Sequence, residues 1–311
     1  MACALATTLD ALPANAALAV GSFDGLHLGH QALLREMLAY ARATGRAACV
    51  LTFGQSPLAL LDPAHDPGRI VDDARNLELL RAALSEGEAR LIQQPFTPAF
   101  AALPAADFIR RLRGATLFCG EDWRFGAGAS GSPETARAAG LEVHIVPYAQ
   151  WQGERVSSTR IRAALQAGDL AAASAMLGRA WDFCGTVVRG RGLAGPSLGF
   201  PTLNLPYRGR AGERLTCPAR GVYAALATVG PETRPALVNF GVAPTLKAEA
   251  EPLFEAHLPG WSGEVYGREV TLTFTRPRLR AERPFAGLDA LKAQIADDLT
   301  HLLEACNGEG N

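Results

Sequence analysis

Two histidines stand three residues apart in a glycine-rich stretch near the start of the chain. Residues 21–30 read Gly-Ser-Phe-Asp-Gly-Leu-His-Leu-Gly-His, directly after an apolar run. A strand that opens through glycines into a helix presents unpaired N–H groups, which attract phosphate. His27 and His30 could donate to the same oxyanion, and Gly29 leaves the backbone uncovered for a nucleotide. Half of a zinc site and an ordinary helix cap are the alternatives.

Hydroxyl groups and arginines at the start of a predicted helix form a second candidate phosphate site. Residues 155–162 read Arg-Val-Ser-Ser-Thr-Arg-Ile-Arg. Guanidinium groups bind phosphate through two hydrogen bonds, which suits a pyrophosphate leaving group. A capped helix with exposed arginines would have the same sequence pattern. Residues 120–126, Gly-Glu-Asp-Trp-Arg-Phe-Gly, fit either a nucleotide-contacting loop or a tight polar surface loop.

Another oxygen-rich stretch lies in the second half of the chain. Thr202 and Asn204 would project from the same face of a strand, because side chains alternate with a period of two. Such oxygen ligands suit Mg²⁺, but two polar residues on the wet face of a strand would look identical. The preceding Gly-x-Gly-x-x-Gly run at residues 190–195 does not indicate a dinucleotide-binding turn. Pro196 and Pro201 prevent the helix that such a turn must open.

The elements that would position these residues change character near residue 180. Before it, apolar runs alternate with helical patterns, which predicts a parallel sheet covered on both faces, with ligands at the carboxyl ends of its strands. The predicted strands are 17–20, 48–53, 91–93, 116–119 and 143–146, and the predicted helices are 30–44, 73–84, 105–113 and 133–139. Helices continue to residue 177, with a break near residue 168.

Beyond residue 180, glycine and proline become frequent between apolar runs. The runs at 185–188, 222–229, 236–240 and 270–275 predict closely spaced strands of an antiparallel barrel or sandwich. An amphipathic helix over 288–303 closes the chain. Two domains are therefore predicted, over residues 1–180 and 181–311, and a length of 311 residues agrees with that number.

Composition excludes several classes of protein. The formal net charge of −1 offers no attraction to nucleic acid or to an anionic membrane. Only Lys247 and Lys292 are lysines, which excludes a Walker-type loop and leaves arginines, helix N-termini and metal ions to hold phosphates. Six scattered cysteines indicate reduced thiols in a cytoplasmic protein. No segment has the roughly 20 apolar residues of a membrane span, and the alanine-rich start lacks the basic residues of a signal peptide.

The segments of the first half together resemble the HxGH nucleotidyltransferase superfamily, and more closely the adenylyltransferase half of bifunctional bacterial FAD synthetases. That family reads Phe-Asp-Gly-x-His-x-Gly-His and Ser-Ser-Thr-x-x-Arg, and both patterns stand here, at residues 23–30 and 157–162. Its Gly-x-Asp/Asn-Phe-x-Phe-Gly loop corresponds to residues 120–126, with Trp123 in place of Phe. The resemblance implies a Rossmann-like domain that transfers AMP from ATP to FMN and releases pyrophosphate.

The resemblance also implies roles for individual residues of this half. His27 and His30 would bind the ATP phosphates, and Arg162 would hold the departing pyrophosphate. The remaining ATP-binding residues that it implies are Gly21, Phe23, Gly29, Asp122, Ser157, Ser158 and Thr159.

The second half resembles riboflavin kinases, whose hallmark Gly-Phe-Pro-Thr-x-Asn stands at residues 199–204. Gly-Val-Tyr follows at 221–223, Asn-x-Gly-x-x-Pro-Thr at 239–245 and Glu-x-His-Leu at 255–258. The resemblance implies an antiparallel six-stranded barrel in which Thr202 and Asn204 bind Mg²⁺ and ATP, and Glu255 is the general base on the riboflavin 5′-hydroxyl. The flavin-binding residues that it implies are Gly192, Phe200 and Arg280.

Three positions depart from the family patterns. Ser22 replaces the usual Asn before Phe-Asp-Gly, and residues 53–57 read Phe-Gly-Gln-Ser-Pro in place of Phe-x-Pro-His-Pro. In the second half, Pro-Gly-Trp at 259–261 replaces Asp-Phe. The first two concern adenylyl transfer, and the third concerns the flavin loop of the kinase.

The sequence thus predicts an enzyme that phosphorylates riboflavin to FMN and adenylylates FMN to FAD. Its expected ligands are riboflavin, FMN, FAD and ATP with Mg²⁺, and neither nucleic acid nor a membrane is an expected partner. One alternative is a riboflavin kinase with a weak or repurposed first domain. Another is a flavin- or nucleotide-binding protein without catalysis, against which the retained His27, His30, Thr202, Asn204 and Glu255 argue.

Overall fold

The computed structural model describes residues 5–84, 89–189, 202–242, 252–261, 263, 265–283 and 285–307. Two compact units make up the chain. The first consists of Met1–Arg69 and Asp73–Ser158, and the second of Ile70–Asp72 and Thr159–Asn311. Among the described residues, no helix has both the length and the apolar character needed to cross a bilayer.

A parallel six-stranded sheet forms the centre of the first unit. Its strands lie in the order β1-β4-β3-β2-β5-β6. Their bounds are β1 Leu5–Ala6, β2 Ala17–Val20, β3 Ala48–Phe53, β4 Arg90–Gln94, β5 Thr116–Cys119 and β6 Val143–Ile145. The hairpin β7 Gln150–Trp151 and β8 Glu154–Arg155 follows. The predicted parallel sheet is confirmed, whereas β1 and the hairpin strands β7 and β8 were not predicted.

Helices cover the sheet of the first unit. Their bounds are α1 Leu28–Thr44, α2 Pro57–Leu61, α3 Asp73–Leu84, α4 Pro98–Ala101, α5 Ala105–Arg111 and α6 Pro133–Ala138. Alternate residues of β2 pack on opposite sides, because Ala17 and Ala19 share a core cluster with Met37 of α1, whereas Leu18 and Val20 share one with Phe108 of α5. This two-sided burial explains why the strands read as continuous apolar runs.

The strand order places β2 at a topological switch point. The chain moves from β2 to β3 and β4 on one side, and then returns to β5 and β6 on the other side. In open parallel sheets the loops that leave such strands diverge, and ligands bind in the crevice between them. The histidine-containing turn leaves the carboxyl end of β2 at this position.

An antiparallel sheet of seven strands forms the second unit. Its main path is β10-β13-β12-β11-β14-β9, and β15 pairs with β11. The bounds are β9 Trp181–Thr186, β10 Thr202–Pro206, β11 Gly221–Val229, β12 Glu232–Val242, β13 Pro252–His257, β14 Glu269–Phe274 and β15 Arg278–Ala281. Beyond β9, Val188 bridges to Asn204 of β10, so the curved sheet is a partly closed barrel. The predicted antiparallel architecture is confirmed, and the sheet has seven strands where the resemblance implied six, because β15 pairs with β11 beside the six-stranded path.

Among the residues that the structure describes, three helices accompany this sheet, namely α7 Ser158–Ala167, α8 Leu170–Leu177 and α9 Leu288–Asn307. Helix α7 begins at the last residue of the first unit, and the predicted break near residue 168 lies between α7 and α8. The segment Ile70–Asp72 belongs to the second unit through two specific contacts. Trp181 Nε1 donates to the Ile70 carbonyl oxygen at 3.0 Å, and the buried Asp72 carboxylate accepts hydrogen bonds from Nε and Nη2 of Arg210.

Candidate functional sites

The turn between β2 and α1 has an uncommon backbone. Three of its residues have positive φ angles, namely Phe23 (48°), Gly25 (74°) and Leu26 (43°). Two of these are not glycine, and a left-handed conformation costs such residues roughly 1–2 kcal/mol each. The rest of the unit must therefore hold this turn in place.

The two histidines of this turn contact each other. His27 caps the N-terminus of α1, because its Nδ1 accepts a hydrogen bond from the His30 backbone N–H at 3.3 Å. The imidazole rings stack with a centroid distance of 3.6 Å, and Phe23 meets the His30 ring edge-on at 5.3 Å. A Cβ at Gly29 would lie 3.2 Å from His27 Cε1, so glycine gives the ring room to lie against the backbone.

Burial keeps His30 neutral. The pKa of His30 is well below its usual value, first because burial disfavours the imidazolium and second because His27 is close. Its Nδ1 is buried and has no hydrogen-bond partner among the described residues. A buried ring nitrogen of this kind is normally satisfied, so the pair is suited to hold a bound polar group such as a phosphate oxygen.

The serine-rich segment lies beside the histidine turn. Ser158 Oγ donates to the Asp24 carbonyl oxygen at 3.4 Å, and a Cβ at Gly29 would lie 3.9 Å from the Val156 carbonyl oxygen. Ser157 is half-buried and Thr159 is exposed. Arg162 is half-buried on α7, about one helical turn after Ser158. Within the first unit, the structure thus brings the start of the second predicted segment to the first.

The loop after β5 is held by an ion pair and an aromatic ring. Arg155 Nη2 donates to Asp122 Oδ2 at 2.7 Å, and its guanidinium lies 3.5 Å from the centroid of the Tyr148 ring. The Asp122 backbone N–H donates to the Tyr148 hydroxyl oxygen at 3.0 Å. Burial raises the pKa of Asp122, but hydrogen bonds with Arg155 and Tyr148 outweigh it and lower the pKa overall. Arg155 is the first residue of the predicted segment 155–162, whereas Tyr148 carried no signal in the sequence.

An aromatic cluster extends from the ends of β3 and β4 to the loop after β5. Successive ring centroids lie between 4.5 and 6.4 Å apart. The members are Phe53, Phe96, Phe100, Phe108, Trp123 and Phe125. Trp123 stacks on Phe125 at 4.5 Å, so the replacement of the family's Phe by Trp preserves an aromatic contact. Widely separated aromatic residues gave no signal of this cluster in the sequence.

In the second unit, strand pairing brings the predicted site residues Asn204 and Glu255 into one row with Asn239. Asn204 of β10 lies opposite Glu255 of β13, which lies opposite Asn239 of β12, and Thr202 lies opposite His257. Laterally aligned residues share one face of a sheet. Thr202 and Asn204 are both half-buried, as an alternating strand requires. Asn239 belongs to a motif that the sequence displayed, but only the register places it beside Glu255.

The environment of Glu255 raises the pKa of its carboxyl group. Burial is the main cause that raises its pKa, and the nearby Glu282 raises it further, whereas a hydrogen bond with Asn239 opposes the shift. Glu282 reaches this row from beyond β15, since a Cβ at Gly241 would lie 2.8 Å from Glu282 Oε1 and 3.5 Å from Asn239 Nδ2. A carboxylate with a raised pKa is a stronger base, which is the property that proton abstraction needs.

The structure describes only one of the three predicted flavin-binding residues, Arg280. Gly192 and Phe200 lie outside the described residues. Arg280 donates through Nε and Nη2 to the buried carboxylate of Asp298 on α9, with the shortest distance 2.7 Å. This ion pair fixes the guanidinium against the last helix, and a flavin contact of Arg280 stays a prediction.

The described residues contain no group of three or more His, Cys, Asp or Glu side chains that could hold a metal ion. In the second unit, the predicted Mg²⁺ ligands are the hydroxyl group of Thr202 and the side-chain amide of Asn204. The amide nitrogen of Asn204 faces the Thr202 carbonyl oxygen at 3.5 Å, so its amide oxygen is the atom that would reach a cation. Two oxygen donors suit Mg²⁺, because this ion keeps several waters and completes its coordination with nucleotide phosphates.

Family comparisons divide the chain in two. The family model for FAD synthetase matches residues 10–160, and the family model for riboflavin kinase matches residues 177–306. The first covers the histidine turn and the Asp122 loop. The second covers the Asn204–Glu255–Asn239 row.

Several curated relatives are similar over nearly their whole length. A bifunctional riboflavin kinase/FMN adenylyltransferase of Escherichia coli K12 is 37% identical over 91% of this chain and 90% of its own. The protein of the same description from Pseudomonas fluorescens is 33% identical over 90% of this chain and 89% of its own, and that from Bacillus subtilis is 30% identical over 92% and 90%.

A solved structure shares the fold. The crystal structure described as a macrolide-efflux protein from Streptococcus pneumoniae superimposes with a TM-score of 0.79 at 28% sequence identity, over 96% of this chain and 98% of that one. That description differs from those of the curated relatives, whose matches cover both halves of the chain. On these matches, the chain belongs to the family of bifunctional riboflavin kinase/FMN adenylyltransferases.

Proposed function

We propose that this chain catalyses two consecutive reactions, in which ATP phosphorylates riboflavin to FMN and a second ATP adenylylates FMN to FAD. The observation that carries the proposal is that each family match contains a polar site of the corresponding chemistry. The stacked His27–His30 pair lies in the first match, and the Asn204–Glu255–Asn239 row lies in the second. The boundary between the two catalytic domains is proposed near residue 180.

In the kinase reaction, Glu255 takes the proton of the riboflavin 5′-hydroxyl while that oxygen attacks the γ-phosphorus of ATP and ADP leaves. Its raised pKa and its hydrogen bond with Asn239 support this role, because they provide a base of suitable strength in a fixed orientation. Thr202 and Asn204 would hold Mg²⁺ through their oxygens, and the bound ion would neutralise phosphate charge. A flavin contact of Gly192, Phe200 and Arg280 belongs to the same proposal.

In the adenylyl transfer, an FMN phosphate oxygen attacks the α-phosphorus of ATP and pyrophosphate leaves. No protein nucleophile is required, so the contribution of the enzyme is position and charge. The ring N–H groups of His27 and His30 would donate to the phosphate oxygens. Gly21, Phe23, Gly29, Asp122 and Ser157–Thr159 would contact ATP, and Arg162 would bind the leaving pyrophosphate through two hydrogen bonds.

Product analysis by HPLC tests the proposal directly. The purified chain is mixed with riboflavin, ATP and Mg²⁺, and the flavins are separated over time. We expect FMN and then FAD. FMN alone would indicate a kinase with a repurposed first domain, and unchanged riboflavin would indicate a binding protein. Chelation of Mg²⁺ should stop both reactions, and Thr202→Ala with Asn204→Ala should weaken the thermal stabilisation by ATP that depends on Mg²⁺.

Two single variants separate the sites. Glu255→Gln should abolish FMN formation and leave FAD formation from supplied FMN intact. His30→Ala should lower FAD formation by about 10²–10³-fold, as loss of a transition-state contact commonly does, and leave the kinase unchanged. Wild-type kinase turnover in the first variant, or wild-type FAD output in the second, would remove that residue from its role.

A further inference from the structure

Asn76 is a buried polar residue of α3 that reaches the histidine turn. It is 2% exposed. Its Oδ1 accepts from the Gly25 backbone N–H at 3.1 Å, and its Nδ2 donates to the Ser22 carbonyl oxygen at 3.2 Å. The Asn76 side chain therefore binds the backbone on both sides of Phe23 and Asp24. It lies more than 50 residues from this turn along the sequence.

These two backbone groups belong to the strained part of the turn. Between them stands Phe23 with φ 48°, and Gly25 itself has φ 74°. A non-glycine residue in this conformation persists only when its surroundings hold it there. Only an amide side chain offers a donor and an acceptor together in a shape that fits such a pair. Aspartate would offer two acceptors, and alanine would leave both backbone groups without their partner.

A buried charge cluster holds the same turn at a neighbouring point. Arg69 Nε lies 3.8 Å from Asp24 Oδ1, and Arg69 Nη2 lies 2.7 Å from Asp73 Oδ1 at the start of α3. The side chains of Arg69 and Asp24 are each 5% exposed. The beginning of α3 thus fixes the turn through neutral hydrogen bonds and through charge.

The position of this turn decides where the two histidines stand. His27 caps α1 directly after the turn, and its Nδ1 receives the His30 backbone N–H. A shift between Ser22 and Leu26 would move both rings together, because they stack at 3.6 Å. Displacement of catalytic groups by about 1 Å can cost on the order of 10² in rate.

We infer that Asn76 is a positioning residue for adenylyl transfer, which holds the His27–His30 pair in its productive place through the backbone of Ser22 and Gly25. The inference rests on the proposed adenylyl-transfer function. Asn76 acts through the turn and touches no substrate. A buried asparagine with a purely structural role would change stability without changing turnover in folded protein.

The experiment compares three variants of the full-length chain. Asn76→Ala removes both hydrogen bonds, Asn76→Asp keeps the acceptor for Gly25 N–H and loses the donor, and Arg81→Ala removes an exposed side chain from the same helix as a control. For each, kcat and KM of FAD formation from FMN are measured at 25 °C, together with the riboflavin kinase rate and the melting temperature. Asn76→Ala should lower kcat for adenylyl transfer by about 10–100-fold. The kinase rate of Asn76→Ala should stay within about twofold of wild type. Both activities of the control Arg81→Ala should stay within the same range.

Two results would overturn the inference. One is an unchanged kcat of FAD formation in folded Asn76→Ala. The other is a loss of both activities in proportion to the fraction unfolded, which would make Asn76 an ordinary structural residue. Should Asn76→Ala fail to fold, the same criteria apply to Asn76→Asp, which preserves size and one hydrogen bond.

A second measurement separates this inference from the proposed function. Hydrogen–deuterium exchange of peptides that span residues 20–27 should show protection in the wild type and its loss in the Asn76 variants. If the wild type forms no FAD, the proposed function fails, and this exchange result alone decides whether Asn76 holds the turn. Equal exchange in the wild type and in Asn76→Ala would contradict the inference that Asn76 holds the turn.

Discussion

Burial acts in opposite directions on the two titratable side chains at the centre of the sites. It lowers the pKa of His30, because the charged form is the protonated one, and it raises the pKa of Glu255, because the charged form is the deprotonated one. Both residues are therefore biased toward neutrality. A neutral imidazole donates to phosphate through its single N–H group, and a carboxylate whose pKa is raised is the stronger base.

The low pKa of His30 makes the stability of the protein without ligand depend on pH. The unfolded chain binds a proton at His30 below a pH of about 6.5, whereas the folded chain binds this proton only at a much lower pH. The free energy of unfolding should therefore fall as the pH decreases below that value, by at most about 1.4 kcal/mol per pH unit. The melting temperature of His30→Asn should depend less on pH between 7 and 5.5 than that of the wild type.

His65→Asn is the matched control for this measurement, since the His65 side chain is 80% exposed. The effect of His30→Asn on the pH dependence is judged against the effect of this control. An identical pH dependence in wild type and His30→Asn would show that His30 is accessible to protons in the folded state.

Burial is the main cause of the raised pKa of Glu255, and the charge of Glu282 should add to the pH below which the kinase loses activity. Glu282→Gln removes a negative charge that disfavours ionised Glu255, so the pKa of Glu255 should fall and the acid limb of kcat/KM for riboflavin should move to lower pH. Asn239→Ala removes a hydrogen bond that favours the ionised form, and it should move the limb the other way. Shifts in the same direction in both variants would contradict this account of Glu255.

At the scale of elements, close packing explains the glycines of the loop after β5. Gly126 has φ 74°, and a Cβ there would lie 2.8 Å from the backbone of Ala105 at the start of α5. Gly131 faces the Phe125 ring at 2.5 Å by the same measure. The loop and α5 are therefore in contact through glycine, and any side chain at these positions must displace a helix or a buried ring.

Gly126→Ala should destabilise the protein more than Gly140→Ala. Both glycines have positive φ, but a Cβ at Gly140 meets nothing within 4 Å. Gly140→Ala should cost about 1–2 kcal/mol from the backbone alone, and Gly126→Ala should cost this plus about 1–3 kcal/mol for the overlap with α5. Denaturant unfolding followed by fluorescence measures both. Equal losses would mean that α5 moves aside without cost.

At the scale of the whole molecule, the second unit contains more than the antiparallel sheet. Helix α8 buries five residues, namely Leu170, Ala172, Ala173, Met176 and Leu177. Ser174 Oγ accepts from the Trp181 backbone N–H at 3.3 Å, and the Trp181 ring nitrogen donates to Ile70. The unit thus includes helices that lie before the proposed domain boundary at residue 180.

A fragment of residues 159–311 should therefore be more stable than one of residues 181–311. The shorter fragment loses the apolar face of α8, and each large buried side chain contributes up to about 1.5–3 kcal/mol. Both fragments lack Ile70–Asp72, so neither should reach the stability of the second unit in the full chain. Melting temperatures and riboflavin phosphorylation are measured for each fragment. A fragment 181–311 that matches 159–311 would show that the helices contribute nothing to the kinase domain.

Much of the fold could be predicted from the sequence because its signals are local. Continuous apolar runs predicted five strands of the first sheet within one or two residues, since a strand buried on both faces needs no polar positions. Helix ends were less well predicted. Helix α1 begins at Leu28, two residues earlier than predicted, because His27 rather than a standard cap residue closes it. Strands β13 and β15 were missed, since Pro252–His257 and Arg278–Ala281 mix polar and apolar residues.

By itself, the sequence determined the two-part architecture, the family and the motifs at residues 21–30, 157–162, 202–204 and 255. These depend on residue types within a few positions of one another. Only the tertiary structure decided that Asn76 and Arg69 hold the histidine turn, that Asn239 and Glu282 flank Glu255, and that Ile70–Asp72 joins the second unit. Such pairings join residues far apart in the chain, and their free energy depends on the packing of all the intervening elements, for which no local pattern exists.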